Sequence, residues 1–226
     1  MPNRLSIVLA GATGLIGKSA VEIALANDSV EHIYCLSRRP ITIAHSKLTQ
    51  WLSPDLSILS EGDVTNSPII GVITLGTTLK KAGSKEKLRV IDVDLVVKVA
   101  KDMYSFGVKH IIVVSCLGAS VSSRSHYLRC KGEMEAELQQ LEFEKITFMH
   151  PGSLVGSREK TRKDEKVLQC VLKMVSPLMI GVLADFKPVK AYDVAEAIIQ
   201  LATQRSNNIS KRIEHIRTPQ ILNLCM

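Results

Sequence analysis

Two residues near the middle of the chain, Tyr127 and Lys131, have the types and the spacing of an acid–base pair. Residues four apart lie on one face of a helix, so the phenol and the ammonium would share a site. A free tyrosine titrates near ~10, and a neighbouring cation is expected to lower that pKa by favouring phenolate. Such a pair can pass a proton to or from a carbonyl or alcohol oxygen. The same spacing also occurs by chance on exposed helix faces, so the surrounding sequence must indicate whether the pair is functional.

The context is a glycine turn near the start of the chain. An apolar strand at 7–10 is followed by glycines spaced three apart and then by an amphipathic helix at 19–26. The first glycine permits a tight turn, the second lets a pyrophosphate approach the backbone, and the third lets the helix pack on the strand. The helix N-terminus offers unpaired N–H groups to phosphate. The predicted dinucleotide-binding residues here are Gly11, Ala12, Thr13, Gly14, Leu15, Ile16 and Gly17. The alternative is an ordinary turn between a core strand and a helix.

The end of the second predicted strand indicates which nicotinamide cofactor is preferred. NAD sites usually place an acidic residue there, which accepts a hydrogen bond from the ribose 2′-hydroxyl. This chain has Ser37, Arg38 and Arg39 instead. Because guanidinium groups bind phosphate through charge-assisted and often bidentate bonds, these residues favour NADP over NAD. The alternative is that both arginines are solvated loop charges.

Later loops supply further cofactor-binding candidates. Asp63 is placed to accept a hydrogen bond from the adenine amino group, with Val64 against the ring, although a turn-stabilising Asp is an equal alternative. Leu75, Gly76 and Thr77 would pass close to a ribose, where a glycine avoids a clash.

Strands alternating with helices predict an α/β fold, a doubly wound parallel-sheet Rossmann fold with helices on both faces. The predicted strands are 7–10, 32–36, 56–59, 69–75, 110–114 and 146–149, and the predicted helices are 19–26, 86–106, a helix within 122–141, 167–179 and 192–203. We expect one domain over 1–226, with a core at 1–150. A small substrate-side region at 151–190 would precede the last helix and contain a charged run at 158–166.

Composition narrows the class of protein. The 226 residues are 46% hydrophobic and 23% charged, which is typical of a folded globular chain. No apolar run approaches the ~20 residues that span a bilayer, and the first strand leaves no room for a signal peptide. Five scattered cysteines without metal-ligand spacing predict reduced thiols, no metal and a cytoplasmic protein. The net charge is +7, but no basic stripe is interleaved with aromatic residues, so no nucleic-acid partner is expected.

From residue 5 to 205 the sequence resembles the short-chain dehydrogenase/reductase superfamily, in an atypical branch. It is similar to the Tat-interacting-protein-like oxidoreductases and to the NmrA-like NAD(P)-binding proteins. The segments that carry the resemblance are 11–17, 75–78, 82–84, 114–119, 127–133 and 151–152.

The resemblance implies a role for each of several residues. Tyr127 would donate or accept the proton, Lys131 would assist it and hold the nicotinamide ribose, and Ser115 would orient the substrate. Pro151 and Gly152 would lie beside the nicotinamide carboxamide.

The sequence also departs from the family pattern at two positions. Many members have a second serine where this chain has Cys116, a weak hydrogen-bond donor. Many also have an asparagine on the long helix, where the nearest residue here is Asp92, which cannot donate when ionised. Both changes put efficient carbonyl reduction in question.

Three functions remain open at this level. The leading hypothesis is an NADP-dependent oxidoreductase acting on a small carbonyl or alcohol. The second is an NADP(H)-binding sensor or scaffold with a protein partner or as a homodimer. The third is a flavin or quinone reductase, which needs no tyrosine base.

Overall fold

A single parallel sheet organises the chain. The computed structural model describes residues 4–58, 69–155, 181–204 and 211–225. Seven strands run parallel, which confirms the predicted fold class. They are β1 (Leu5–Ala10), β2 (Val30–Ser37), β3 (Leu48–Leu52), β4 (Ile69–Ile73), β5 (His110–Val114), β6 (Lys145–His150) and β9 (Ile213–Arg217).

The strand order is β3-β2-β1-β4-β5-β6-β9. From β1 the chain first adds strands on one side and then returns to add the others on the opposite side. This reversal opens a crevice between β1 and β4 at their carboxyl ends, which is where open parallel sheets bind ligands. The residues that follow these two strands are Gly11 and Thr74.

Helices cover both faces of the sheet. They are α1 (Leu15–Ala26), α2 (Leu79–Ala82), α3 (Lys85–Arg89), α4 (Leu95–Ser105), α5 (His126–Gln139), α6 (Ala191–Thr203) and α7 (Thr218–Leu224). Every residue of β1 is buried, as expected for a strand covered on both sides. Alternate side chains of β1 therefore enter different cores: Ile7 and Leu9 pack with α1 and α6, and Val8 packs with α4 and α5.

The third strand lies earlier in the sequence than predicted. It is Leu48–Leu52, a half-buried edge strand paired with β2, whereas the prediction placed it at 56–59. Leu56 is instead buried in a turn with φ of +58°, a left-handed conformation that a branched residue rarely adopts. The prediction followed a short apolar run, and such a run does not separate a strand from a buried turn.

The predicted long helix at 86–106 is interrupted. It starts at Lys85 in α3, passes through a π-helical turn at Val90–Asp94, and continues as α4 to Ser105. Single π turns inside α-helices are frequent at functional sites, and this one contains Asp92. The predicted stop is borne out by Gly107, whose φ is +97°.

The C-terminal part differs from the prediction in its last elements. The helix predicted at 192–203 is α6 and is not the last, because β9 and α7 follow it. Within the substrate-side region, β7 (Leu154–Val155) pairs with β8 (Val189–Lys190), and a 3₁₀ helix spans Gly181–Phe186. The charged run at 158–166, the helix predicted at 167–179, Asp63 and Val64 lie outside the described residues. Within the described residues, no helix is long and apolar enough to cross a bilayer.

Candidate functional site

The turn after β1 is held by close backbone contacts. Gly11 has φ of +101°, and a Cβ on it would lie 2.5 Å from Thr74 Oγ1. Thr74 joins the ends of β1 and β4 at the point where the strand order reverses, which we call the switch point. Its N–H donates to Ala10 O at 2.9 Å, and its hydroxyl lies 3.2 Å from the carbonyl oxygens of Ala10 and Gly11. Gly11 therefore meets both conditions that exclude a side chain: a left-handed backbone and no space.

The other two glycines of the turn, Gly17 and Gly14, have different roles. A Cβ on Gly17 would lie 2.1 Å from Gly11 O, so only glycine lets α1 approach the turn this closely. Gly14 precedes α1 as its N-cap residue and donates its N–H to Gly11 O at 2.9 Å. A Cβ there would contact only the Gly11 and Thr74 carbonyl oxygens, at 3.2 and 4.0 Å, and Gly14 is exposed. Gly14 thus presents open backbone to a ligand.

A cavity of about 630 Å³ extends from this turn to the end of β2. It is lined by Gly11, Ala12, Thr13, Leu36, Ser37, Arg38, Arg39, Pro40, Pro54, Leu56 and Leu75. Both arginines are exposed at the cavity, while Ser37 is buried and donates to Arg39 O at 2.9 Å. The bare glycine backbone and the two guanidinium groups fit a phosphorylated dinucleotide, since both can bind its phosphates.

Lys131 and Asp92 form a buried ion pair beside the loop after β4. The Lys131 Nζ lies 2.8 Å from Asp92 Oδ1, and the two side chains are 4% and 0% exposed. This contact is ionic and does not have the alignment of a hydrogen bond. The other carboxylate oxygen accepts a hydrogen bond from the Thr77 N–H at 2.9 Å. A Cβ on Gly76 would lie 3.3 Å from Asp92 Oδ1 and 3.5 Å from Lys131 Nζ, so the Gly76 backbone lies against the pair.

Tyr127 does not have the electrostatic environment that the sequence predicts. Its hydroxyl lies beside the Cys116 thiol, and the Lys131 ammonium lies on Asp92. The residue is 38% exposed, but desolvation of its hydroxyl end, together with the Asp92 charge and, where it ionises, the Cys116 thiol, raises the pKa of Tyr127 above its ordinary value. The predicted lowering of this pKa is wrong, because desolvation disfavours the phenolate and the Lys131 ammonium that was expected to stabilise it is paired with Asp92. Burial also raises the pKa of the Cys116 thiol to about 11, so the thiol is neutral at pH 7.

Ser115 is buried and donates a hydrogen bond to Glu135. His150 Nε2 lies 2.8 Å from the same carboxylate oxygen, Oε1. With its proton directed at Glu135, the serine oxygen retains lone pairs that can accept a hydrogen bond.

Pro151 and Gly152 connect the end of β6 to the substrate-side region. Pro151 is buried, and the Gly152 N–H donates to Thr218 Oγ1 at 2.8 Å. A Cβ on Gly152 would lie 2.8 Å from the carbonyl oxygens of Asp185 and Lys187. Glycine is thus required here for packing, independently of any ligand.

Twelve of the predicted site residues fall into two groups. One group lines the cavity: Gly11, Ala12, Thr13, Ser37, Arg38, Arg39 and Leu75. The other gathers around α5 and the loops after β4 and β5: Gly76, Thr77, Ser115, Tyr127 and Lys131. Ile16 and Gly17 are buried in the protein and support the turn.

Sequence reasoning missed three residues. Thr74 was not identified because a threonine after a strand has no distinctive pattern. Leu56 lines the cavity from a turn that looked like a strand. Glu135 had no signal in the sequence, since a glutamate on a predicted helix is normally solvated.

Comparison with known proteins identifies related sequences. A family model described as HIM1 matches residues 63–179, just over half of the chain. The chain is similar to the mitochondrial protein fmp52 of Emericella nidulans, with 36% identity over 72% of each chain. It is also similar to the mitochondrial protein fmp52 of Aspergillus niger, with 31% identity over 89% of this chain and 88% of that one.

Solved structures share the fold. The chain is similar to MoeE5 in complex with UDP-glucose and NAD, with a TM-score of 0.64 and 13% identity over 96% of this chain and 80% of that chain. It is also similar to the human epimerase family protein SDR39U1 with NADPH, with a TM-score of 0.58 and 13% identity over 92% and 72%. The likeness shows the Rossmann fold. The Tat-interacting-protein-like or NmrA-like branch stays a prediction.

The comparisons also correct the predicted compartment. The expectation of a cytoplasmic protein is contradicted, because both fungal relatives are named mitochondrial. Cysteine usage had suggested a reducing compartment, which does not by itself distinguish the cytoplasm from a mitochondrial one.

The buried ion pair leads to a prediction about stability. Replacing Asp92 with Asn keeps an acceptor for the Thr77 N–H but leaves the Lys131 charge buried without a counterion. We expect the free energy of unfolding to fall by about 3–5 kcal/mol, measured by urea denaturation at pH 7.

Asp94→Asn is the matched control, since that carboxylate pairs with Arg89 at 2.7 Å but is 47% exposed. Loss of this exposed ion pair should lower the free energy of unfolding by about 1 kcal/mol or less. Equal losses in the two variants would contradict the role given to the Asp92–Lys131 pair.

Proposed function

The chain belongs to the HIM1 family, and we propose that this member binds NADP and acts as an oxidoreductase of the short-chain dehydrogenase/reductase type on a small carbonyl or alcohol. The observation that carries the proposal is the bare glycine turn at the switch point of the sheet, opening into a cavity with two arginines at its far end. Tyr127, Lys131 and Ser115, the three side chains that the chemistry needs, belong to α5 and the loop after β5.

Three features would bind the cofactor. The N-terminus of α1 would hold the pyrophosphate, and the exposed Gly14, whose own N–H donates to Gly11 O, would let it approach the backbone closely. Arg38 and Arg39 would hold the 2′-phosphate that distinguishes NADP from NAD. Lys131, beneath Gly76, would lie near the nicotinamide ribose. When bound, the cofactor supplies or accepts the hydride.

The raised pKa of Tyr127 keeps the phenol protonated at pH 7, so it cannot act as a base there, and it also makes the phenol a weaker acid than a free tyrosine. A neutral phenol at pH 7 is a proton donor, and the Tyr127 hydroxyl would give its proton to a carbonyl oxygen as that carbon is reduced. Ser115, which donates to Glu135, would accept a hydrogen bond from a substrate hydroxyl. Phenolate formation in the reverse direction would require Lys131 to turn from Asp92 towards Tyr127.

A second function is favoured by the same ion pair. Because Asp92 balances the Lys131 charge, Tyr127 lacks the cation that activates it in the proposed mechanism. The chain would then be an NADP(H)-binding sensor or scaffold with little turnover. Since its fungal relatives are named mitochondrial, we place either function in mitochondria.

The first prediction concerns cofactor choice. The double substitution Arg38→Ala and Arg39→Ala should weaken binding of NADPH by about 2 kcal/mol or more, because charge-assisted phosphate bonds are lost. Binding of NADH should change little. Isothermal titration calorimetry measures both dissociation constants.

Lys101→Ala with Lys109→Ala is the control, since it removes the same charge from exposed positions outside the cavity. Equal binding of NADH and NADPH by the unmodified chain would contradict the preference for NADP.

The second prediction separates enzyme from sensor. Tyr127→Phe should leave NADPH binding intact but slow reduction of a carbonyl by about 10²–10⁴, the usual loss when acid–base help is removed. Oxidation of NADPH is followed by absorbance with panels of aldehydes, ketones, quinones and free flavin. Tyr104→Phe, which removes a hydroxyl from α4, serves as the control.

Each alternative function predicts a different result in these assays. A sensor reduces no member of the panel and binds NADPH equally well with Tyr127 or Phe. A flavin or quinone reductase keeps full turnover in Tyr127→Phe. Unchanged carbonyl turnover in that variant would rule out Tyr127 as the proton donor.

A further inference from the structure

A second cluster of ionisable side chains lies near the outer edge of the sheet. It consists of Glu135 on α5, His150 at the end of β6 and His215 on the edge strand β9. One ligand atom from each residue lies within 4.8 Å of the other two. The two imidazole centroids are 4.9 Å apart, and the His215 ring also stacks on Phe148. We call these three residues the Glu–His–His cluster.

The charge of Glu135 needs compensation. Glu135 and His150 are buried, and burial of a carboxylate is costly unless a cation faces it. Among the described residues, the recorded ion pairs give Glu135 no lysine or arginine partner. Lys131, one turn earlier on α5, pairs with Asp92 at 2.8 Å, and Arg217 on β9 pairs with Asp185 at 3.1 Å. In the part of the chain that the structure describes, the Glu135 carboxylate therefore contacts the Ser115 hydroxyl and the His150 imidazole, with His215 within 4.8 Å.

We propose that the Glu–His–His cluster binds a divalent first-row transition-metal ion. Two imidazoles and one carboxylate form a ligand set that zinc and iron(II) use in proteins, with further positions left for water or substrate. The exposed His215 leaves an entry path for the ion. The site is separate from the cofactor cavity, because none of its residues lines that cavity.

The geometry requires only small movements. With metal–ligand bonds near 2.1 Å, ligand atoms of a tetrahedral site lie about 3.4 Å apart. The His150 Nε2–Glu135 Oε1 distance of 2.8 Å would widen slightly, and His215, on the edge strand, would move in by at most about 1.4 Å.

Metal binding requires a free lone pair on each ligand atom. The metal would bind a lone pair on each imidazole nitrogen and on the carboxylate, and a hydrogen on the ligating nitrogen of His150 would move to the other ring nitrogen or to solvent. The Ser115 hydroxyl would orient the carboxylate from outside the ligand set.

Zinc titration tests the site directly and needs no substrate. The full chain, purified without a histidine tag and treated with EDTA, should bind one equivalent of Zn²⁺ by calorimetry. Glu135→Gln and His215→Ala should each lower the affinity at least tenfold. His45→Ala is the matched control because this histidine is also exposed but lies outside the cluster. The His45→Ala variant should bind Zn²⁺ with the affinity of the unmodified chain.

Cobalt(II) identifies the ligands, since thiolate ligands add intense near-ultraviolet charge-transfer bands that imidazole and carboxylate do not. We expect visible d–d bands without thiolate bands, and loss of those d–d bands in His215→Ala. No Zn²⁺ binding, unchanged affinity in both cluster variants, or a cobalt spectrum with thiolate bands would overturn the proposal. Circular dichroism confirms that each variant is folded, and His215→Gln replaces His215→Ala if that variant is not.

Discussion

The close approach of α1 to the turn after β1 is the constraint on which the site depends. Gly17 lies so near the Gly11 carbonyl that a single methyl group would stand 2.1 Å from the oxygen, and Thr74 fills the space on the other side of Gly11. These contacts bring the end of β4, the end of β1 and the start of α1 to one point. The exposed backbone of Gly14 and the cavity beside it follow from that packing.

Two buried polar groups determine what chemistry the rest of the site can perform. Asp92 holds Lys131 and the Thr77 backbone together, and this pairing leaves Tyr127 as a neutral phenol beside Cys116. Glu135 accepts a hydrogen bond from the Ser115 hydroxyl and faces His150. Burying a carboxylate is costly, and the two sites meet that cost differently: Asp92 has a lysine partner, whereas Glu135 has only hydrogen-bonding neighbours among the described residues. If Tyr127 acts as proposed, the Asp92–Lys131 pair would limit its activation.

The sequence predicts those structural features that depend on a local pattern of residue types. Gly11, Gly14 and Gly17 identify the turn because backbone approach allows few other residues, and β-branched residues identify β5. It does not predict what depends on long-range packing. The charge partner of Lys131 lies 39 positions earlier in the chain, in a π-helical turn that has no sequence signature. His150 and His215 meet Glu135 only because β6 and β9 are neighbours, and β9 itself was not predicted.

The central claim, that the switch-point crevice holds a dinucleotide on the Gly14 backbone, is tested most directly by titrating NADPH into Gly14→Val by calorimetry. The substituted side chain would occupy the space of the pyrophosphate, and its Cβ would make a tight contact of 3.2 Å with the Gly11 carbonyl oxygen. The account predicts that binding weakens at least a hundredfold while the free energy of unfolding falls by about 1–2 kcal/mol, the cost of replacing a glycine N-cap with valine. A folded Gly14→Val chain that binds NADPH with the dissociation constant of the unmodified protein would contradict it.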